Sequence, residues 1–422
     1  MTARKTSDVF GISTSIKSDS YVDRGQLDSS LVRLLERDIH LALRGESKAG
    51  KSWLRQKIIS NPIIVQCRHK SRLEDLYMQA LSEIGISFVV EKTTDTTISG
   101  KMKGKGEMGW SFIAKAEAAL EGGAERSWSE STNPAGKDVN DLRFIAEVIK
   151  KSGRRLVIED FHYLSVAVRK KVAFDLKAFW EYHLYVIVIG IWSQGNMLLS
   201  LNPDLSGRLE EHRISWTKED LRAVVEKGCF SLKIEFSQEI MNTLVNNSYG
   251  NVGILQALTL KTLDEMKIYE TPNSAALLSD VVKCTDAIML YAEQLEPLYL
   301  KFAKDVAAGI RRRRDSTGIY AHTMAVILQV DDESLYRGLE VDQIFEMAHV
   351  RQKRIQKSNL KSVLEKIEEL QVDEDGRGLV FSYNPAAEVV TVIDKQILLF
   401  RKYQTISWPW DELIRQSEEN NS

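Results

Sequence analysis

The chain has 422 residues, 43% hydrophobic and 27% charged, with a formal net charge of -2. That length allows two or three domains, and the near-neutral balance excludes general attraction to nucleic acid, so any basic surface has to be local. No apolar run reaches the roughly 18 residues of a membrane span. The start "MTARKTSDVFGISTS" lacks a secretory apolar core, and Cys67, Cys229 and Cys284 form no CxxC pair. A cytoplasmic, reducing setting without a structural zinc is the expectation.

Along the chain, Leu31 to Leu43 has helical spacing, and "IHLALRG" reads as a short buried strand delivering the chain to a glycine turn. From Ser52 the pattern is helical again. "NPIIVQCRH" is a second strand candidate and "RLEDLYMQALSEIGI" an amphipathic helix. Residues 91 to 137 are rich in Gly, Thr, Ser and Ala without a sustained period, and read as an insertion with mobile ends. Next come a helix, "DVNDLRFIAEVIKKSG", a strand, "RRLVIEDFHYL", a helix, "VRKKVAFDLKAFWEY", and a strand, "LYVIVIGIW". Such alternation predicts an α/β fold, a parallel sheet covered on both faces. From Thr217 to about residue 310 the pattern is purely helical, opened by the capping box "TKED". From about residue 320, helices end in "SNLKSVLEKIEELQ", with Ser358 as expected N-cap. Two strand candidates then surround Asn384-Pro385, which suggests a winged helix-turn-helix. The expected domains are a core over 1–215 with the insertion at about 91–137, a helical segment and linker over 216–315, and a winged-helix-like domain over 316–422.

Gly45-Glu46-Ser47-Lys48-Ala49-Gly50-Lys51-Ser52 fits G-x-x-x-x-G-K-[ST] at every fixed position, with a strand before it and a helix after. Consecutive backbone N–H groups must wrap a β-phosphate, and a Cβ at either glycine would hinder them. The positive end of the following helix faces the same anion. In this reading Lys51 reaches the β- and γ-phosphates of a bound triphosphate and the Ser52 hydroxyl ligates Mg²⁺. Such a loop also needs a carboxylate at the end of a neighbouring buried strand, and Glu159 and Asp160 follow Leu156–Ile158.

These segments together resemble AAA+ P-loop ATPases of the initiator, transposition-regulator and signal-transduction group, and "EDFH" is similar to the "DEFH" form of transposon target-selection ATPases. Here the two acids are swapped. The resemblance implies Glu159 on the metal side and Asp160 as the base that activates water. Asp is about one methylene shorter than Glu, and a base misplaced by roughly 1 Å can cost on the order of a hundredfold in rate, so hydrolysis is expected to be slow. A register shift would instead give Asp160 to the metal and leave Phe161 in the base position, making the chain a nucleotide-binding switch. The strand "YVIVIGIWSQGN" occupies the sensor-1 position, with Ser193, Gln194 and Asn196 as alternatives. "LSGRLEEHRISWTKEDL" resembles the arginine-finger segment, which implies that Arg208 enters the ATP site of an adjacent subunit of a homo-oligomer; the alternative is a surface arginine paired with Glu210 or Glu211. The lid corner "SYGNVGIL" carries Val252, Gly253 and Ile254 where an arginine is usual. Tyr21, Val22 and Arg24 of "YVDRGQLDSSL" are candidates for the adenine side.

Local cations complete the picture: Arg351, Lys353, Arg354 and Lys357 before the expected recognition helix, Arg311 to Arg314, and Lys101, Lys103 and Lys105 beside Trp110 and Phe112. Each suits phosphate contacts and each also suits a solvated surface, while Glu365, Glu368 and Glu369 would repel a DNA backbone. Trp408 to Trp410 are expected to pack on the domain surface. The seven histidines are scattered and form no metal cluster. Two functions follow from the resemblance: an ATP-dependent, duplex-DNA-associated regulator or loader, or an ATPase switch of anti-phage defence that controls a separate effector protein.

Overall fold

The alternation of apolar strands with amphipathic helices is realised as a layered α/β unit. The computed structural model describes residues 3–93, 98–104, 111, 113, 115, 141–192, 195–309, 317–371 and 379–419. Two compact units form, one of Gly25–Gly45 and Lys51–Ile214, the other of Met1–Arg24, Glu46–Gly50 and Ser215–Ser422.

In the first unit the chain runs through α1 (Leu27–Leu35), β1 (His40–Arg44), α2 (Lys51–Ile58), β2 (Ile63–Gln66), α3 (Leu73–Ser82), β3 (Ile86–Thr93) and β4 (Ile98–Gly104). It continues through α4 (Leu142–Lys151), β5 (Leu156–Glu159), α5 (Val166–Glu181), β6 (Ile187–Gly190), α6 (Met197–Leu201) and β7 (Leu209–Arg213). The five-stranded sheet has the order β2-β5-β6-β1-β7, and its pairings are parallel. β5 and β6 are buried at every residue, which is why they read as unbroken apolar runs rather than alternating ones. Phe144, Ile145, Val148 and Ile149 of α4 and Val172, Leu176 and Phe179 of α5 fill the core against them. Asp141 and Ser165 cap these helices by accepting from Phe144 N and Val168 N.

Where the sequence predicts an insertion from residue 91, β3 and β4 make an antiparallel ladder from Ile86↔Gly104 to Thr93↔Ile98. Most of the remaining stretch to residue 137 lies outside the described residues, as do Arg311 to Arg314.

The second unit contains α7 (Lys218–Leu232), β8 (Ile234–Phe236), α8 (Gln238–Asn247), α9 (Val252–Glu265), β9 (Ala276–Leu278), α10 (Val281–Ala308), α11 (Ile319–Ile327), α12 (Asp332–Arg337) and β10 (Leu339–Glu340). It ends with α13 (Val341–Arg351), α14 (Lys357–Gln371), β11 (Phe381–Asn384), β12 (Val389–Val392), α15 (Gln396–Tyr403) and α16 (Pro409–Glu419). The expected capping box forms, with Thr217 and Asp220 bonding each other's backbone N–H. The stretch predicted as purely helical also holds the short parallel pair β8–β9, whose three-residue strands carry too little periodicity to be read. Helices α11, α13 and α14 are followed by a β11–β12 hairpin, and the antiparallel sheet has the order β10-β12-β11. Ser358 lies inside the first turn of α14, which starts at Lys357. Trp408 and Trp410 stack at 4.5 Å and are buried, so "WPW" belongs to the core rather than the surface.

Candidate functional site

Gly45 follows β1 at a point where no side chain fits, because a Cβ there would lie 2.8 Å from the Ile214 carbonyl oxygen. At the other end of the loop Lys48 and Gly50 have positive φ, 60° and 87°, the handed conformation that turns successive N–H groups inward. Lys51 begins α2 and folds back, its Nζ donating to the Gly45 carbonyl at 3.0 Å. Ser52 in the same turn is exposed.

Glu159 ends β5 and is buried, 9% exposed. Its Oε1 accepts from Arg55 Nε at 3.0 Å, with only 11% and 12% of the two side chains exposed. Arg55 sits one turn beyond Lys51 on α2, so the Glu159 carboxylate faces the helix that carries Lys51 and Ser52. Asp160 leaves the strand in the left-handed region, φ 57°, and its Oδ2 accepts from Gln66 Nε2 at 2.5 Å. The two acids therefore turn to different neighbours, Glu159 to α2 and Asp160 to the end of β2. A divalent ion as hard as Mg²⁺ keeps several waters and needs only one or two carboxylates plus phosphate oxygens. The Glu159 carboxylate and the Ser52 hydroxyl are oxygen donors that suit such an ion, and among the described residues no cluster of three or more metal-ligating side chains occurs.

His162 follows two residues later, 6% exposed, its ring tilted 35° to that of Tyr163 with centroids 4.2 Å apart. Neither ring nitrogen has a hydrogen-bond partner. Burial, then the charges of Lys51 and Arg169, lower its pKa from 6.5 to about 3, so the ring is neutral.

At the ends of β1, β6 and β7, Glu211 accepts from Arg44 Nε at 2.6 Å, Trp192 Nε1 at 3.1 Å and the Asn196 backbone N–H at 2.9 Å. Of the sensor-1 candidates, Ser193 and Gln194 lie outside the described residues. Arg208 pairs with neither Glu210 nor Glu211 among the described residues. It donates to the Asp204 carbonyl, and its guanidinium lies 4.7 Å over the Trp180 ring.

In the second unit, residues 46–50 of the loop are held by main-chain and side-chain contacts. Asn251 caps α9 by accepting from Gly253 N and Ile254 N, and its Nδ2 donates to the Ser47 carbonyl at 2.8 Å. Gly253 N donates to the Lys48 carbonyl at 3.1 Å. A Cβ on Gly253 would stand 2.5 Å from the Lys48 Cβ, so the glycine at the start of α9 is a condition of this close approach. Trp216 Nε1 donates to the Ala49 carbonyl at 2.9 Å, and the Arg24 guanidinium lies 3.8 Å over the Trp216 ring. Of the adenine-side candidates, Arg24 is thus one side chain removed from the loop, while Val22 packs on the core. Sequence reasoning missed Arg55, Gln66, Asn251 and Trp216. Asn251 and Trp216 stand in the segments that resemble family motifs, and Gln66 ends the strand candidate "NPIIVQCRH", whereas Arg55 carries no such signal.

No protein-family model matches the sequence, and no curated protein matches it. Among solved structures, a Walker-type ATPase of Pyrococcus abyssi is similar with a TM-score of 0.54 and 14% identity, over 91% of this chain and 97% of that one. The Orc1 protein of Aeropyrum pernix in complex with DNA gives a TM-score of 0.42 at 11% identity, over 94% and 95% of the chains. A signal-transduction ATPase with a tetratricopeptide repeat sensor, from Pyrococcus horikoshii, gives 0.36 at 11%, over 95% of this chain and 45% of that one. With its five-stranded parallel sheet, its strand–loop–helix at Gly45–Ser52 and its helical extension, the chain has a P-loop α/β core and shares its fold with that Walker-type ATPase.

Proposed function

We propose that the chain binds Mg²⁺–ATP through Gly45–Ser52 and hydrolyses it slowly. The observation that carries this reading is the Arg55–Glu159 pair, which sets a buried strand-end carboxylate against the helix that begins Lys51-Ser52. Main-chain N–H groups of the loop wrap the β-phosphate. With nucleotide bound, the Lys51 ammonium would leave the Gly45 carbonyl for the β- and γ-phosphates, the Ser52 hydroxyl and Glu159 would hold the metal, and Asp160 would orient the attacking water. Bound Mg²⁺ supplies charge neutralisation on the phosphates. Asp160, short and bonded to Gln66 at 2.5 Å, reaches the water poorly, which makes turnover slow. ATP-turnover assays on wild type, Asp160→Asn and Lys51→Ala test this: turnover is lost in both variants, and nucleotide binding is lost only in the second. Turnover retained in Asp160→Asn removes Asp160 as the base.

The proposal extends to a cytoplasmic homo-oligomer in which Arg208 completes a neighbour's site. The Arg208 role rests on the likeness of its segment to the arginine-finger segment, and the three cysteines are free and buried, as a reducing compartment leaves them. Among the described residues no helix is long and apolar enough to cross a membrane. For the partner we favour duplex DNA. The order α11–α12–β10–α13–α14–β11–β12 supports a winged-helix reading, and Arg351, Lys353 and Arg354 are exposed just before α14, the recognition helix in that reading. A second reading, a defence switch acting on an effector protein, draws on Gly253, which packs on Lys48 in place of the lid arginine that couples nucleotide to lid. Fluorescence anisotropy with labelled duplex DNA, with and without ATP, decides between them: salt-sensitive binding supports the first, and none supports the second.

A further inference from the structure

Within the second unit, the start of α15 meets the loop. Lys395 is 3% exposed, and its Nζ lies 2.9 Å from Glu46 Oε1. The same Nζ stands 3.5 Å from where a side chain at Gly250 would begin and 4.2 Å over the Tyr336 ring. The next residue repeats the contact, since Gln396 Oε1 accepts from Lys48 Nζ at 2.6 Å and from the Tyr291 hydroxyl at 2.8 Å. Asp394 anchors the segment by accepting from the Tyr299 hydroxyl at 2.8 Å and from Gln396 N at 3.2 Å.

An ammonium withdrawn from water to this degree is stable only with an anion beside it. Glu46 is that anion here, and it belongs to the loop whose N–H groups wrap the phosphates. The lid corner, Gly250 to Ile254, offers no cation of its own. We propose that Lys395 is a nucleotide-phosphate ligand: a cation supplied to the lid corner from the C-terminal end of the chain and held there by Glu46. This rests on the ATP-binding reading above. A polyphosphate entering the loop competes with Glu46 for the ammonium, and the anion of higher charge wins. Gln396 and Asp394 are positioning residues that fix where the lysine starts.

The two partners make opposite predictions, because a lysine that merely tied the loop down would be lost equally from either side. Calorimetric titration with Mg²⁺–ATPγS and with Mg²⁺–ADP is made on wild type, Lys395→Met, Lys395→Arg and Glu46→Gln, with Lys51→Ala as control. Lys395→Met weakens ATPγS binding by about tenfold or more, as expected for one charge-assisted contact. Lys395→Arg restores most of it, and Glu46→Gln binds at least as tightly as wild type. Glu46→Gln also gains a larger rise in melting temperature from ATPγS than wild type does. A loss confined to ATPγS puts the ammonium on the γ-phosphate, and a loss shared with ADP puts it on the β-phosphate. Lys395→Met and Glu46→Gln weakening binding alike, or neither changing it by twofold, overturns the proposal. Wild type and Lys51→Ala binding equally overturns the ATP reading instead, so the two failures are distinct.

Discussion

Arg55→Met is the perturbation that interrogates the carboxylate half of the site. The methionine keeps the length and apolar stem of the arginine but leaves Glu159 a buried carboxylate, its side chain 12% exposed, without the guanidinium 3.0 Å away. Breaking a buried pair from one side costs about 3–5 kcal/mol, far more than the worth of an exposed pair. For a unit of this size that is about 6 °C or more in melting temperature, at roughly 2–4 °C per kcal/mol. Mg²⁺ with ATPγS puts a divalent cation beside the same carboxylate, so the ligand returns most of the loss. Differential scanning fluorimetry on both proteins, with ligand, with Mg²⁺ alone and without either, reads this. A variant that melts within about 1 °C of wild type, or whose deficit persists at saturating Mg²⁺–ATPγS, would refute the assignment of Glu159 to the metal side.

Other consequences are equally concrete. His40 is wholly buried, with Nε2 2.8 Å from the Leu176 carbonyl and Nδ1 accepting from Val186 N; burial lowers its pKa from 6.5 to about 4. The unfolded chain binds that proton more readily, so this stability is complete above pH 6.5 and drains away as pH falls towards 4, by on the order of 3 kcal/mol. Urea titrations of wild type and His40→Gln between pH 7.5 and 4.5 check it, because the variant's slope with pH is shallower. Gly253→Ala forces Lys48 away from a Cβ 2.5 Å distant, and weakens ATPγS affinity rather than leaving it unchanged, as calorimetry would register. Replacing Arg351, Lys353 and Arg354 together by alanine lowers the log–log salt slope of duplex binding by up to about 2.7, at about 0.9 per phosphate contact.

The parts of the molecule legible in the sequence are those fixed by local chemistry. Gly45 through Ser52 declare themselves because each fixed position answers a local steric or charge requirement, and β5 and β6 because a strand covered on both faces must be apolar throughout. Thr217 and Asp220 were readable for the same reason, as a cap closes over three residues. What stayed hidden depends on contacts that spacing does not encode. Arg55 and Glu159 are 104 positions apart, Asn251 and Ser47 204, and Lys48 and Gln396 348. "WPW" was misjudged for a similar reason: aromatic residues near a chain end look peripheral until α10 and α15 supply the walls that bury them. The hairpin β3–β4 was missed because glycines and lysines dilute its alternation.

The most direct measurement of the central claim is isothermal titration of the chain with Mg²⁺–ATPγS, beside Lys51→Ala. The account predicts uptake of about one nucleotide per chain by the wild type and a loss of at least about tenfold in affinity in the variant, from one ammonium–phosphate contact. Equal affinities, or no heat of nucleotide binding in the wild type, would contradict it.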